Sequence, residues 1–378
     1  MISDIHRNEL DLQSDLIYLN HAAVAPWPQR TVKAVQQFAT ENGTTGPLHY
    51  ERWLRVEHHL RGQLKTLINA HSTQEVALLK NTSEALSVIA YGLRWQRGDN
   101  IVSIAQEFPS NRIVWESLKS QGVALRLIDI NASDDPEQAL IEATDERTRL
   151  LSVSSVQYAA GLRLDLPRLG QHCRSHGTLF CVDAIQSLGA LPFDVEAIDA
   201  DFVVADGHKW MLGPEGVALF YCRKAVIEEL QLRQFGWHMV EKAGNYTTTE
   251  WQVAASARRF ECGSPNMLGI HALSASLSLL LEVGIDTVAE QILDSTAYLI
   301  QRIQAEPQLK LLSADQPGRF GGIVTFRHNS IDSSALHRQL MDNGIACAAR
   351  GGGIRFSPHF YNSREELDRA INTVLSCR

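Results

Sequence analysis

The sequence predicts an α/β protein in which a large, mostly parallel sheet domain is followed by a small α+β C-terminal domain. Between residues 100 and 222, short apolar β-rich runs alternate with amphipathic stretches, which is typical of parallel sheets covered by helices. After about residue 258 the pattern changes to long helical periodicity and then to short strands. A chain of 378 residues is also longer than a single hydrophobic core usually accommodates, so two domains are expected.

The predicted strands of the large domain are short and apolar. They read NIVSI (100–104), VALRLIDI (123–130), RLLSVSSV (149–156), TLFCVDAI (178–185), DFVVADG (201–207) and VALFYC (217–222). In the second domain, a long helical pattern leads to the strand GGIVTFRH (321–328), a helix, two further strands and a last helix. We therefore divide the chain into an N-terminal segment (1–25), a large domain (26–257) and a small domain (258–378).

Composition excludes several classes of protein. The net charge of −8 and the sequence pI near 6.0 do not favour nucleic acid or an anionic membrane as partner. The six cysteines form no CxxC pair and have no zinc-type spacing with histidine, so no metal site is predicted. The polar N-terminus does not resemble a signal peptide, and no apolar run reaches membrane-span length. A reduced, cytoplasmic setting is expected.

Two residues at the ends of predicted strands carry the chemical hypothesis. Asp183 follows the apolar run TLFCV, and Lys209 follows the next run in ADGHKW. An acid at the end of a buried strand is costly unless it is paired. Open α/β sheets place ligands at this edge, so both side chains are expected in one cleft. Taken singly, each has a plain alternative, as a helix-capping aspartate and a surface lysine.

A third element lies in KNTSEA (80–85), which joins the apolar run EVALL to a helix. Thr82 and Ser83 are good residues for a helix N-terminus, and their hydroxyls with that N-terminus would bind a phosphate. An ordinary capping box has the same sequence pattern.

The order of motifs resembles the class V aminotransferase family, which includes cysteine desulfurases, kynureninases, isopenicillin N epimerase-like enzymes and C–S lyases. The matching motifs span nearly the whole chain. They are YLNHAAVAPWP (18–28), NTSEA (81–85), EFPSN (107–111), VDAIQSLG (182–189), ADGHKWMLGPEG (205–216), RRFECGSPN (258–266) and AARGGGIRFSPHFYN (348–362).

This resemblance implies the aspartate aminotransferase type of fold (fold type I), with pyridoxal 5′-phosphate as cofactor. It implies that Lys209 forms the imine with the cofactor and moves protons, and that Asp183 pairs with the pyridine nitrogen. The N-terminal segment would pack near the active site and the small domain. Further cofactor contacts are implied for Thr82, Ser83 and His208 at the phosphate, and for Phe108, Gln157 and Gln186 at the ring.

The substrate implied by the resemblance is a small α-amino acid bound as an external aldimine. Arg350 and Arg355 resemble the arginines near the substrate carboxylate, a role that suits the planar guanidinium fork. Ser264 resembles a hydroxyl that reaches the phosphate of a neighbouring subunit, which implies a homodimer with shared active sites. Phe108 replaces the stacked histidine of desulfurases, and Gln157 replaces an asparagine. Asp206 stands where desulfurases more often have a small hydroxyl residue, and two roles are open for it: orienting His208 or accepting a hydrogen bond from a backbone N–H.

The reaction remains open at this level. Desulfurases carry a persulfide-forming cysteine on a loop between the positions of Arg350 and Arg355, where this chain has only four residues and no cysteine. Cys347 and Cys262 are expected to be inert. This favours transamination or β-elimination at a C–S bond without a protein persulfide. The alternatives are desulfurase-like sulfur transfer, epimerisation, a non-catalytic protein and, remotely, a nucleotide-binding oxidoreductase.

Overall fold

Two separate main sheets organise the part of the chain that the computed structural model describes, residues 8–247 and 249–378. The strands in chain order are β1 (Ile17–Tyr18), β2 (Val76–Leu79), β3 (Asn100–Ile104), β4 (Ala124–Ile128), β5 (Thr148–Ser154), β6 (Leu179–Asp183), β7 (Phe202–Asp206), β8 (Ala218–Cys222), β9 (Leu309–Leu311), β10 (Val324–His328), β11 (Ile345–Ala346), β12 (Ala348–Arg350) and β13 (Gly353–Phe356).

The helices lie between and after these strands. In chain order they are α1 (Gln29–Thr45), α2 (Tyr50–Leu67), α3 (Thr82–Gly92), α4 (Ser110–Glu116), α5 (Pro136–Glu142), α6 (Leu166–His176), α7 (Met267–Val283), α8 (Ile285–Gln304), α9 (Ser333–Asp342) and α10 (Arg364–Ser376). Helix α6 has Asp165 as its cap, accepting from the Arg168 N–H, and ends at Gly177 with a left-handed φ of 69°.

The larger sheet has the strand order β2-β8-β7-β6-β5-β3-β4 within the described residues. The pairings among β4, β3, β5, β6 and β7 are parallel, while β8 is antiparallel to both of its neighbours. Strands β3, β6, β7 and β8 are buried along their whole length, which explains their uninterrupted apolar sequences. The mostly parallel sheet predicted from sequence is confirmed.

The two faces of this sheet pack against different layers of helices. Ile101 of β3 lies in a cluster with residues of α3 and α4, whereas Val102 lies in a cluster with residues of α2 and α7. Successive side chains of a strand point to opposite faces, so one apolar strand serves both layers. Helix α7 thus packs with the large sheet, although it follows the boundary predicted near residue 257.

The smaller sheet is antiparallel, in the order β12-β13-β10-β9, and shares a third core with α8, α9 and α10. Strand β1 pairs in parallel with β11 through Ile17 and Ile345, so the N-terminal segment joins this part of the molecule. Residues 1–7 of that predicted segment lie outside the described residues. The division into three parts stays a prediction.

No single helix of the described chain is long and apolar enough to cross a membrane. Among the helices of the described residues, only α7 and α8 taken together are long and apolar enough, and the two are bent by 82° at their junction.

Candidate active site

A cavity of about 260 Å³ opens at the C-terminal edge of the parallel strands. Strands β6 and β7 end there, and β2 runs in the same direction because β8 is antiparallel to both β2 and β7. The chain segments that follow β2, β3, β5, β6 and β7 therefore converge, and the β12–β13 hairpin of the small sheet joins them. The lining residues are Ala22, Ala23, Asn81, Thr82, Ser83, Phe108, Ser110, Tyr158, Asp183, Ile185, Gln186, Asp206, His208, Lys209, Arg350 and Arg355.

Lys209 and Asp183 lie together in this cavity, as the sequence predicted. Asp183 is the last residue of β6 and is 2% exposed, while Lys209 follows the end of β7 and is 8% exposed. Burial raises the pKa of Asp183 to about 6, although the Ile185 N–H donates to the carboxylate at 3.0 Å and Lys209 opposes the rise. Burial lowers the pKa of Lys209 to about 8, and Arg355 adds to this while Asp183 opposes it. A lysine with this pKa is a better nucleophile and base at neutral pH than an exposed one.

One wall of the cavity is the N-terminus of α3. Asn81 caps this helix by accepting from the Glu84 N–H at 2.9 Å, which leaves the next two hydroxyls free for other partners. The buried Thr82 Oγ1 has no hydrogen-bond partner among the described residues, and Ser83 Oγ donates to Ser110 Oγ at 2.8 Å. An orphaned hydroxyl at a helix N-terminus is a suitable donor for a phosphate oxygen.

Gln186 and His208 complete the polar lining. Gln186 accepts from Trp210 Nε1 at 2.8 Å and donates to the Ala22 carbonyl at 3.1 Å, so one of its amide hydrogens remains for a ligand. His208 Nδ1 lies 3.0 Å from Asp206 Oδ1 at the end of β7. The sequence suggested Asp206 as an orienting partner of His208. Its carboxylate does face the imidazole, but neither of these two atoms makes a hydrogen bond within the described residues, so that role stays a prediction.

Arg355 is a buried cation that faces the cavity without an acidic partner. It is 2% exposed, and its Nη1 donates to the Tyr158 carbonyl at 2.7 Å. No carboxylate within the described residues pairs with it, and its Nε has no hydrogen-bond partner there. Burial, and then the nearby Arg350, lower the pKa of Arg355 to about 10. A buried guanidinium of this kind is costly unless an anion binds to it.

Phe108 and Tyr158 form the aromatic side of the cavity. Their rings meet edge to face with centroids 5.3 Å apart, and Lys209 Nζ lies 5.6 Å from the Phe108 centroid. Phe108 is 42% exposed, so its face is available to a planar ligand.

Two of the predicted site residues do not line this cavity. Gln157 is buried behind it, with Nε2 3.4 Å from Glu107 Oε1 and with Oε1 unpartnered within the described chain. Ser264 lies in a separate groove beside Lys80 and Glu84. Its predicted contact is with a neighbouring subunit, which a single chain does not test, so this role stays a prediction.

Glu107 is a buried acid near the cavity, outside its lining, for which the sequence interpretation gave no role. It is 4% exposed and accepts hydrogen bonds from both the backbone N–H and the hydroxyl of Ser154, beside Asp183 in the sheet. Burial raises its pKa to about 7, since the hydrogen bonds from Ser154 only partly offset the desolvation. The signal was its position directly before Phe108, where an acid follows a buried strand. Asn81, Ser110 and Tyr158 were also missed.

The six cysteines lie away from this cavity. Cys347 is buried, and burial raises the pKa of its thiol to about 12. Cys262 lies in the groove of Ser264, where its thiol donates to Gln234 Oε1 at 3.3 Å. Between Arg350 and Gly353, the hairpin turns on Gly351 and Gly352, whose φ angles of 60° and 78° are left-handed. This turn is tight, so no extended loop stands at this position.

The described residues fit pyridoxal phosphate. The orphaned Thr82 hydroxyl, with Ser83 and His208, would hold the phosphate, and Asp183 would hold a protonated ring nitrogen. Lys209 is placed for covalent attachment, and Gln186 has a free amide hydrogen for the ring oxygen. Arg355 would still lack an anionic partner among the described residues.

Comparison with known proteins gives an independent result. The family model described as "Aminotransferase class-V" matches residues 17–370. A probable cysteine desulfurase of Methanothermobacter thermautotrophicus is 30% identical, over 97% of this chain and 96% of the relative. A cysteine desulfurase of Escherichia coli is 29% identical, over 94% of this chain and 92% of the relative.

Solved structures agree on the fold. An apo cysteine desulfurase from Thermococcus onnurineus superposes with a TM-score of 0.88 at 23% identity, covering 100% of this chain and 98% of the other. A cystine C–S lyase, in complex with its product cysteine persulfide, gives a TM-score of 0.88 at 22% identity over 96% of this chain and 98% of the other. A variant of that lyase has glycine covalently linked to its pyridoxal phosphate. The fold type I architecture predicted from sequence is confirmed.

Proposed function

Because the chain belongs to the class-V aminotransferase family of pyridoxal phosphate enzymes, we propose that it cleaves the C–S bond of a sulfur-bearing α-amino acid by β-elimination. The observation that carries this proposal is the open, buried guanidinium of Arg355 in the same cavity as Lys209 and Asp183. A carboxylate anchor beside a base suits an α-amino acid whose Cα proton is to be removed.

The proposed roles follow from the positions of the side chains. Pyridoxal phosphate, when bound, supplies the electron sink that allows a bond at Cα to break. Arg355 binds the α-carboxylate of the substrate and fixes its orientation. Lys209 would take the proton from Cα, and Asp183 would accept a hydrogen bond from a protonated ring nitrogen. Thr82, Ser83 and His208 would bind the phosphate. The predicted contact of Gln157 with the ring stays a prediction, because Gln157 is buried outside the cavity lining.

The choice of elimination over sulfur transfer rests on the thiols. Transfer to the protein needs a cysteine that attacks the substrate sulfur. The hairpin between Arg350 and Arg355 has a two-glycine turn, and the raised thiol pKa of Cys347 disfavours a thiolate. In elimination the Cβ–S electron pair leaves with sulfur, and thiolates leave without needing a strong acid. Water then completes the reaction, giving a thiol, pyruvate and ammonia.

A product panel tests the proposal. Holoenzyme is incubated with L-cysteine, L-cystine and S-alkyl cysteines, and pyruvate, ammonia, sulfide or thiol, alanine and pyridoxamine phosphate are measured. We expect equal amounts of pyruvate and ammonia with a matching amount of thiol or persulfide. Alanine with a protein-bound persulfide would show sulfur transfer instead. A keto acid with pyridoxamine phosphate would show transamination, and an inverted amino acid would show epimerisation.

The role of Lys209 is tested by Lys209→Ala, with Lys119→Ala, an exposed lysine, as the matched control. Lys209→Ala should lose the borohydride-reducible link to the cofactor and slow elimination by about 10²–10⁴-fold. Lys119→Ala should retain both. If the Lys209→Ala protein is as active as the control, Lys209 is not the base.

We further propose a homodimer in which Ser264 of one subunit reaches the phosphate of the other. The groove of Ser264 begins beside Lys80, one residue before the Asn81 cap of the phosphate wall. The six free cysteines fit a reducing compartment, and we propose the cytoplasm. Light scattering of the holoenzyme would measure the mass, and a monomer with full activity would exclude shared active sites.

A further inference from the structure

Arg350 and Arg355 point from the same face of the small sheet towards the cavity. In the β12–β13 hairpin, Arg350 pairs with Gly353 and Ala348 pairs with Arg355. Residues two apart on one strand share a face, so the two arginines are diagonal neighbours, typically about 7–8 Å apart at their backbones. They differ in depth, because Arg355 is 2% exposed whereas Arg350 is exposed at the rim.

The cavity contains more positive charge than one α-carboxylate requires. A single arginine fork can hold a carboxylate at two points, and Arg355 has its fork free apart from the bond of Nη1 to the Tyr158 carbonyl. Arg350 makes no ion pair with any described acid. Its positive charge instead lowers the pKa of the neighbouring Arg355. Two acids line the buried part of the cavity. Asp183 and Asp206 both oppose the lowering of the Lys209 pKa, and Asp206 lies 3.0 Å from His208 Nδ1.

The rest of the outer lining is neutral. Phe108 and Tyr158 offer an apolar wall that suits a thioether, and Ser110 offers a hydroxyl. A negative group beyond the sulfur would meet Arg350, whereas a distal ammonium would meet no carboxylate among the described residues at the rim. The charges therefore favour a substituent that ends in an anion over one that ends in a cation.

We propose that Arg350 binds a second anionic group at the far end of the substrate, and that the preferred substrates are S-substituted cysteines whose substituent carries a carboxylate. The inference rests on the proposed C–S elimination and names its substrate class. For S-carboxymethyl-L-cysteine, the Cα proton is removed and the Cβ–S bond breaks with its electron pair going to sulfur. One water is consumed, and the products are thioglycolate, pyruvate and ammonia, without oxidant or reductant.

The test uses two isosteric substrates, S-carboxymethyl-L-cysteine and S-carbamoylmethyl-L-cysteine, which differ mainly in one charge. Pyruvate release by the holoenzyme gives kcat/KM for each, and where no pyruvate is released, calorimetric titration of the holoenzyme gives their binding. We expect the wild type to favour the charged substrate by about tenfold or more, mainly through KM, since a charge-assisted hydrogen bond distinguishes the two. S-aminoethyl-L-cysteine should be the poorest of the three.

Arg350→Gln should bring the ratio of the two efficiencies close to one, because only the charged substrate loses an ion pair. Arg52→Gln, which removes an exposed charge from α2, is the matched control and should keep the wild-type ratio. A wild-type ratio near one would overturn the inference. So would an equal loss for both substrates in Arg350→Gln, which would place Arg350 on the α-carboxylate.

The outcomes separate this inference from the proposed function. If the wild type binds the charged analogue more tightly but releases no pyruvate from either, the elimination is wrong and the distal anion site stands. If pyruvate is released from both with equal kcat/KM and equal KM, the elimination stands and the distal site is wrong.

Discussion

Two buried arginines in this protein have opposite surroundings. Arg61 of α2 is 8% exposed and makes hydrogen bonds to Glu57 Oε1 at 2.6 Å, Glu261 Oε1 at 2.6 Å and Glu261 Oε2 at 2.7 Å. Arg355 is 2% exposed and has one backbone carbonyl at 2.7 Å. Burial lowers the pKa of both groups, but Glu261 and Glu57 raise that of Arg61 well above its usual value, whereas Arg350 lowers that of Arg355 further.

The difference teaches how to distinguish a structural charge from a functional one. Arg61 ties α2 to the Val76 carbonyl at the start of β2 and to the segment that holds Glu261, with His238 3.6 Å from that glutamate. Its charge is neutralised inside the protein, so Arg61 stabilises the packing of these segments against one another. Arg355 is left without a counter-charge in a cavity, and its desolvation is offset only when an anion arrives. The predictions below test this distinction.

The largest effect on stability is expected for Arg61→Met. Removing the guanidinium leaves Glu57 and Glu261 buried without a cation, which should lower the free energy of unfolding by about 3–5 kcal/mol. Urea unfolding followed by circular dichroism measures this. The triple variant that also carries Glu57→Gln and Glu261→Gln should recover much of the loss. An unchanged midpoint for Arg61→Met would show that the cluster does not stabilise the fold.

Arg355→Gln should reduce activity strongly and stability little, which is the reverse of Arg61→Met. We expect kcat/KM for the amino-acid substrate to fall by about 10²–10³-fold, because a buried charge-assisted contact with the substrate is lost. No acid loses its partner, so the free energy of unfolding should change by no more than about 1 kcal/mol. Steady-state kinetics and urea unfolding of the same preparation are compared. A loss of stability as large as that of Arg61→Met would contradict the distinction.

A smaller effect is expected on the rate at which the cofactor attaches to Lys209, and this effect depends on pH. Only the neutral amine attacks the cofactor aldehyde, and burial holds the pKa of Lys209 near 8, below the usual 10.5. The rate of cofactor attachment to the apoprotein should therefore be level above about pH 8 and fall tenfold for each pH unit below it. Stopped-flow absorbance across this range measures the rate. A midpoint near that of free lysine would show that Lys209 is solvated in the apoprotein.

The smallest effect is expected at the surface. Arg112 and Glu116 on α4 form an ion pair at 2.8 Å, with side chains 38% and 43% exposed. Water screens this pair, so Arg112→Ala should change the free energy of unfolding by about 0.3–0.5 kcal/mol. A loss that approaches that of Arg61→Met would show that burial is not what separates the two pairs.

Much of the site was predictable because it follows from local pattern. Asp183 and Lys209 each follow an apolar strand, and parallel strands bring such residues to one edge. Thr82 and Ser83 were predictable from the helix that begins after β2. Glu107 was missed because its partner Ser154 lies 47 positions away. For Asp206 the sequence left two roles open, and only the structure gave its distance of 3.0 Å to His208 Nδ1.

The sequence by itself determined the alternation of strands and helices, the lysine and acid at the strand ends, and the family, because these depend on periodicity and on short motifs. Only the tertiary structure decided which charges are compensated. Neither the run HHLRGQ (58–63) around Arg61 nor the run GIRFS (353–357) around Arg355 shows how the charge is compensated. In space, Arg61 meets Glu261, 200 positions away, and Arg355 meets no acid within the described residues. Compensation is a property of distance in space, and chain folding alone sets that distance.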